Sequence, residues 1–343
     1  MMRILVLHPR HWVSSDAAKK LGVEVRHFSI GGESPHRLDG KISYDGIGEK
    51  TNYDIIKKLI EVFSEFKPDV FLFGIHFGLY RKYLIECKKV SPATKFVMHY
   101  TDQRNSLSRQ VQEYLGILDL ILITNNDPHD VARYKAVGLP IRTFYDGVDP
   151  LEYRPKPIIP EYDCYFGGND FYGLEMVLRK KNQGTEMLEI FTGAYFRSAF
   201  MMLVNERFRL IIRGQYGWSP NFGVKPMLFS PREIDGMLES KILLSTFNLK
   251  YHGLITRRIL RCLASGRMLL TEYCPGMEEH FQNHEHLVWF NSADEGLDHI
   301  RYYLEHPIER NRIARSARKL VLKRHTFDRR LEEFVGLIKE NFG

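Results

Sequence analysis

Cysteine is scarce in this chain: four residues in 343, Cys87, Cys164, Cys262 and Cys274, with no C-x-x-C pair. That excludes a disulfide-stapled secreted scaffold and a paired-cysteine metal or redox motif. The thiols are expected to be reduced, in a cytosolic protein. No apolar run reaches the length of a membrane span. The opening MMRILVLHPRHW is too short in its apolar part for a signal peptide and reads as a first strand. No G-x-G-x-x-G follows that strand, so no dinucleotide cofactor is expected. His280, His284 and His286 crowd one stretch, but H-x3-H-x-H fits no zinc pattern and no Cys or carboxylate partner is fixed. A polar loop is the expectation there, with no metal.

What is present suits a packed protein of two domains. The length exceeds a comfortable single core, and hydrophobic residues make up 44% with aromatics at 13%. Net charge is +7, and the stretch Glu309 to Arg330 holds nine Lys/Arg against two acids, so the excess is local. Such a patch fits phosphate-rich partners, nucleic acid or an anionic membrane surface; the plainer reading is a solvated face of the last helices.

The first half alternates strand and helix signals. Strands are expected at Arg3–Pro9, Val23–Ile30, Val70–Gly74, Thr94–Tyr100 and Leu118–Thr124. Helices fall between them, at 52–66 with Asn52 as cap, 79–89, 106–115 and 127–136. Residues 31–50, rich in Gly, Ser, Pro and Asp, read as a long loop. This alternation predicts an α/β fold with a parallel, doubly wound sheet and ligands at the carboxyl ends of its strands. The proline-rich Pro150–Pro160 reads as a linker.

The pattern then restarts. Strands are expected at Tyr162–Gly167, Phe208–Arg213, Pro226–Phe229 and Ile242–Thr246, with a helix up to Lys180 and another opening at Ser230-Pro231. In residues 252–281, HGLITRRILRCLASGRMLLTEYCPGMEEHF, Ile259, Leu260 and Leu263 take apolar helical spacing. Gly266 stops that helix, Met268-Leu269-Leu270 is a buried strand, and Pro275-Gly276 turns into a helix start at Met277.

Helix, glycine, buried strand, Pro-Gly turn and acidic helix start resemble the donor site of GT-B glycosyltransferases. Arg258, Ala264 and Gly266 match the "R-x-x-E-x-x-A-x-G" segment of the spore-maturation-protein type and of the β-glucosyltransferase of T-even phages. Arg261 stands where those families carry Glu, and the first Glu of the related "E-x7-E" pattern would fall at Gly253. IRTFYDGVDPLEYRP, residues 141–155, resembles "N-G-V-D-x-x-x-F-x-P", with Asp146 for Asn and Tyr153 for Phe. The resemblance implies two facing Rossmann-like domains across a cleft. Residues 1–150 would form the acceptor domain, 151–160 a linker, 161–325 the nucleotide-sugar domain, and 326–343 a helix crossing back.

It also implies roles. Arg258 is the expected diphosphate ligand, with its alternative an exposed helical arginine. Gly167-Gly168-Asn169 would let backbone N–H groups approach phosphate, or is a plain strand-to-helix turn. Arg213 belongs to the expected donor site, and Glu272, Glu278 or Glu279 could take over the ribose contact, with Glu278 and Glu279 counted in the site. Arg104, Arg315, Arg318 and Lys319 are the expected acceptor or phosphate contacts. Asp102, in Thr101-Asp102-Gln103-Arg104, matches the phage enzyme's Thr-Asp-x-Arg and would deprotonate the acceptor hydroxyl; its alternative is a helix cap. Arginine offers no lone pair to ribose hydroxyls, so Arg261 is expected to enlarge the anion site instead.

Two functional readings follow. One is a metal-independent glycosyltransferase using a nucleotide sugar, a UDP-sugar by expectation, with no further cofactor. Its acceptor would be a cell-surface or lipid-linked glycan or a hydroxymethylated base in phage DNA. The other is a non-catalytic GT-B-like nucleotide- or glycan-binding protein, motivated by Arg261.

Overall fold

The structure, a computed structural model, describes residues 1–7, 15–28, 49–74, 79–101, 107–168, 185–214, 218 and 232–343. The chain divides into two compact units, Met1–Phe144 with Arg330–Gly343, and Tyr145–Arg329.

The first unit runs β1 (Met2–Leu7), α1 (Ser15–Lys20), β2 (Val23–Phe28), α2 (Glu49–Phe66), β3 (Val70–Gly74) and α3 (Arg81–Val90). It continues through β4 (Lys95–Tyr100), α4 (Arg109–Tyr114), β5 (Leu120–Ile123), α5 (Pro128–Ala136) and β6 (Ile141–Thr143). All pairings are parallel, in the order β2-β1-β3-β4-β5-β6. Ile4, Leu5, Val6 and Leu7 of β1 are all buried, as covering both faces of a parallel sheet requires. Under α2 the rings of Phe63, Phe71 and Phe96 meet edge-on or tilted, with centroids 5.0–5.8 Å apart. Asp127 caps α5, its Oδ1 accepting from the His129 and Asp130 amides, with Pro128 in the first turn.

The second unit holds β7 (Tyr162–Gly167), α6 (Thr185–Arg207), β8 (Leu210–Arg213), α7 (Arg232–Leu238), β9 (Ser240–Ser245) and α8 (Arg257–Ala264). Next come β10 (Met268–Glu272), β11 (Val288–Phe290), α9 (Ala293–Glu305), α10 (Pro307–Arg324) and α11 (Phe327–Phe342), the last counted with the first unit from Arg330 on. The sheet is again parallel, ordered β11-β10-β9-β7-β8. Alternate residues sort onto its two faces. Tyr165, Leu243 and Leu269 face one core with Ile234, Ile259, Leu260 and Leu263 of α7 and α8. Cys164, Phe166, Ile242, Leu244, Met268 and Leu270 face the other, with Phe200 of α6 and Leu297 and Ile300 of α9.

The doubly wound parallel reading holds in both units. Several local expectations need correction. Asn52 lies inside α2, which begins at Glu49, so it is not the cap. Met277–Glu279 is a single 3-10 turn, entered at Gly276 with φ 81° and closed by the Glu279 and His280 amides on the Gly276 and Met277 carbonyls. Helices α6 and α9 and strands β6 and β11 appear where the sequence reading placed no element. Of the loop expected at 31–50, Glu49 and Lys50 belong to α2 and the rest lies outside the described residues, as do the helix up to Lys180 and the strand at 226–229.

Candidate functional site

The carboxyl ends of β7 and β9 and the start of α8 bring together the second unit's chemistry-bearing groups. Thr256 is the N-cap of α8, accepting from the Ile259 amide at 3.4 Å. The helix ends at Gly266, whose φ of 78° only glycine adopts without strain and whose backbone lies against Pro155. Ile259, Leu260, Leu263 and Ala264 lock one face into the core, so the three arginines of the helix project from fixed positions.

Their partners differ. Arg257 Nη2 binds Asp146 Oδ1 at 2.8 Å. Arg261 Nη1 binds Glu233 Oε2 at 3.0 Å, and its guanidinium lies 5.5 Å from the Tyr153 ring centroid. Tyr153 Oη donates to the same Glu233 oxygen at 2.7 Å. Burial works against the Arg261 charge, but Glu233, and after it Tyr153 and Asp146, leave the pKa raised.

Arg258 has no carboxylate partner among the described residues. Its Nη1 reaches the Thr246 carbonyl at 3.3 Å, just beyond β9, and its guanidinium lies 5.1 Å from the Phe166 ring centroid. A Cβ on Gly168 would come within 2.9 Å of Arg258 Nη2, so glycine is what lets the β7 turn approach the guanidinium. Burial, with the Arg261 charge nearby, lowers the Arg258 pKa. On the other side of Thr246, Arg197 Nε donates to Oγ1 at 3.0 Å and its guanidinium also faces Phe166, at 5.6 Å. Two guanidiniums thus flank one strand end and one ring, beside a glycine turn whose carbonyl, on Gly168, accepts from Trp218 Nε1 at 2.8 Å. Such a set can bind a multiply charged oxyanion.

The remaining expected site residues fall elsewhere. Gly167 ends β7 next to Gly168, whose amide bonds the Arg213 carbonyl at 2.9 Å. The Arg213 side chain is paired with Glu239 at 3.2 Å. Glu279 binds His252 at 2.6 Å, and Glu278 accepts from Tyr273 Oη. Glu272 is buried and bonds the Phe247 amide and Lys250 Nζ, pinning the loop after β9. Arg318 directs its guanidinium to the carbonyls of Ala264, Tyr153 and Pro150, so it closes the end of α8. Arg315 and Lys319 are exposed. Asp102, Arg104 and Asn169 lie outside the described residues.

His280 meets Tyr145 Oη, His284 meets Tyr303 Oη, and His286 accepts from the Gln282 amide, so the three imidazoles do not converge. All four thiols are buried and free, and burial pushes those of Cys87, Cys262 and Cys274 up to about 12. None is a nucleophile at neutral pH.

Arg197, Thr246 and Glu233 were not singled out from the sequence. Arg197 sits in an unanticipated helix, and Glu233 lies 28 residues from Arg261, joined to it only by packing.

Comparison with known proteins bears on this region. Residues 197–336 match the glycosyl transferase-like family. No curated protein matches the chain. Among solved structures, sucrose-phosphate synthase from Thermosynechococcus elongatus aligns over 100% of this chain and 99% of its own, with a TM-score of 0.60 at 11% identity. A glycosyltransferase from Rickettsia africae covers 99% and 98%, with 0.59 at 13%. Anabaena HepE in complex with UDP-glucose covers 99% and 100%, with 0.55 at 12%. The chain therefore has the fold of these structures, two parallel-sheet α/β units of GT-B type, and its residues 197–336 match the glycosyl transferase-like family.

Proposed function

We propose that the second unit binds a nucleoside-diphosphate sugar at the ends of β7 and β9, and that the protein transfers the sugar to an acceptor hydroxyl. One observation carries this: among the described residues Arg258, unlike the other α8 arginines, meets no carboxylate, and it faces a glycine turn. A diphosphate supplies the bidentate acceptors that Arg258 does not meet among the described residues. The match of residues 197–336 supports transfer chemistry, and HepE's UDP-glucose supports a UDP-sugar as donor.

In this reading the acceptor oxygen attacks the anomeric carbon while the bond from that carbon to the diphosphate breaks. The leaving negative charge falls to Arg258, aided by Arg197 and the first-turn N–H groups of α8, in a metal-independent transfer. Asp102, two residues beyond β4, takes the acceptor proton, giving inversion. The acceptor is a glycan hydroxyl or, following the finer likeness to the phage enzyme, a hydroxymethylated base in DNA.

UDP and UDP-glucose should raise the melting temperature, since a ligand held only by the folded state must. Asp102→Asn should leave that rise intact and cut turnover about a hundredfold or more. Full turnover in that variant would return Asp102 to a capping role.

The Arg261–Glu233 pair favours a second reading, nucleotide binding without transfer, because the position that contacts ribose in the resembling families is held inside the chain. A melting shift with UDP, and no consumption of any nucleotide sugar with glycan or DNA acceptors, would select it.

A further inference from the structure

The local charge excess of the sequence is not spread evenly once folded. Arg310 donates to the Tyr303 and Leu304 carbonyls, Arg318 closes α8, and Arg330 pairs with Glu333. Arg324 and Arg329 are exposed elsewhere, and the remaining four cations form one stripe on α10. At about 100° per residue, Ile308, Asn311, Arg312, Arg315, Lys319, Leu322 and Lys323 share an arc of roughly 120°. All seven are exposed, whereas Ile313, Ala314, Ala317 and Val321 of the opposite face are buried. The arc has four cations and no acid; the one acid of the helix, Glu309, accepts from Tyr302 Oη at 2.9 Å.

Apolar residues stand at both ends of this stripe. Ile308 is 86% exposed and Leu322 37%. Six residues before Ile308, on α9, the half-exposed Tyr302 ring stacks on His306 at 4.0 Å. We propose that this face of α10 docks on an anionic lipid surface, its cations over the headgroups and Ile308, Leu322 and Tyr302 entering the interface. The mixture decides the partner: nucleic acid would engage the cations equally but gives the aliphatic tips nothing to enter, whereas a bilayer interface uses both.

The stripe is straight and about 22 Å long at 1.5 Å per residue, so all four cations can reach one flat surface together. Arg312 is held in place by its bond to the His284 carbonyl at 2.9 Å, which limits the ordering needed on docking. This contact is independent of donor binding.

The test is flotation of the full chain with phosphatidylcholine vesicles, with and without phosphatidylglycerol, alongside anisotropy with a mixed-sequence DNA duplex. Binding should require phosphatidylglycerol and weaken with salt. Arg315→Gln with Lys319→Gln should lower the partition coefficient roughly thirtyfold, at about fivefold per charge near the surface. Ile308→Ser should lower it further at any salt, while Lys89→Gln, a cation of α3 paired with Glu86, should change nothing. All these sites are exposed, so the variants should fold, and an unchanged melting temperature checks this. Equal flotation with and without anionic lipid, or an unchanged double variant, overturns the proposal. So does DNA binding that depends on Arg315 and Lys319 and exceeds vesicle binding.

Discussion

Arg258 and Arg261 sit on the same short helix, three positions apart, on neighbouring points of one face. At the first turn, Arg258 meets a carbonyl, a ring and a glycine, and its pKa is lowered. One turn later Arg261 meets a carboxylate that a tyrosine also holds, and its pKa is raised. Among the described residues one cation meets no carboxylate; the other is neutralised by Glu233. Identical side chains on one scaffold therefore acquire opposite uses from the strand end and helix that face them. Glu233 also lies close enough to favour the Arg258 charge, whereas the Arg261 charge and burial oppose it.

The comparison breaks first at the inner pair. Arg261→Glu sets a second carboxylate against buried Glu233, leaving like charges where an ion pair stood. It should cost about 4 kcal/mol or more of unfolding free energy. Arg261→Glu with Glu233→Arg should recover much of that loss, which a double-mutant cycle in urea would read. A single variant as stable as the parent would mean that the pair contributes nothing.

Arg258→Ala should behave in the reverse way. No buried carboxylate is orphaned, so stability should change by less than about 1 kcal/mol. UDP affinity should fall about a hundredfold, the scale of roughly 3 kcal/mol for removing a charge that binds an oxyanion. Calorimetric titration decides it. Intact UDP binding together with a large loss of stability would exchange the roles assigned to the two arginines.

Much of this frame is legible in the sequence because its signals are local. Strands such as Val70–Gly74 are short apolar runs, Asp127-Pro128 is an N-terminal helix signal, and Gly266 can end a helix at positive φ. Arg258 and Gly168 could be named because each stands at a strand–helix junction. The use of Arg261 could not, since Glu233 comes from another helix and reaches it through the core. Helix α6 went unread for another reason: Tyr195, Phe196, Phe200, Met201, Met202, Leu203 and Val204 put apolar groups around it, which erases the period. The basic stretch misled in part, because charge counting cannot tell Arg318, which caps a helix, from Arg315, which is exposed.

The smallest effect belongs to Tyr153, and it sharpens the contrast most. Its hydroxyl donates to the Glu233 oxygen that also accepts from Arg261. Removing it by Tyr153→Phe keeps the ring under the guanidinium and keeps the ion pair, so only one hydrogen bond to a charged group is lost. That loss is worth about 1.5–3 kcal/mol for a typical buried case, and the low end applies because Arg261 still compensates the carboxylate. Stability should fall by roughly 1.5 kcal/mol, and UDP affinity should stay within about twofold, since nothing at Arg258 has moved. The effects of Tyr153→Phe and Arg261→Glu should be non-additive, as both act on Glu233. If Tyr153→Phe instead costs as much as Arg261→Glu, the tyrosine is the principal partner of Glu233 and the guanidinium a bystander. Additive losses would show that the two side chains do not share the carboxylate, and the division of labour along α8 would need another cause.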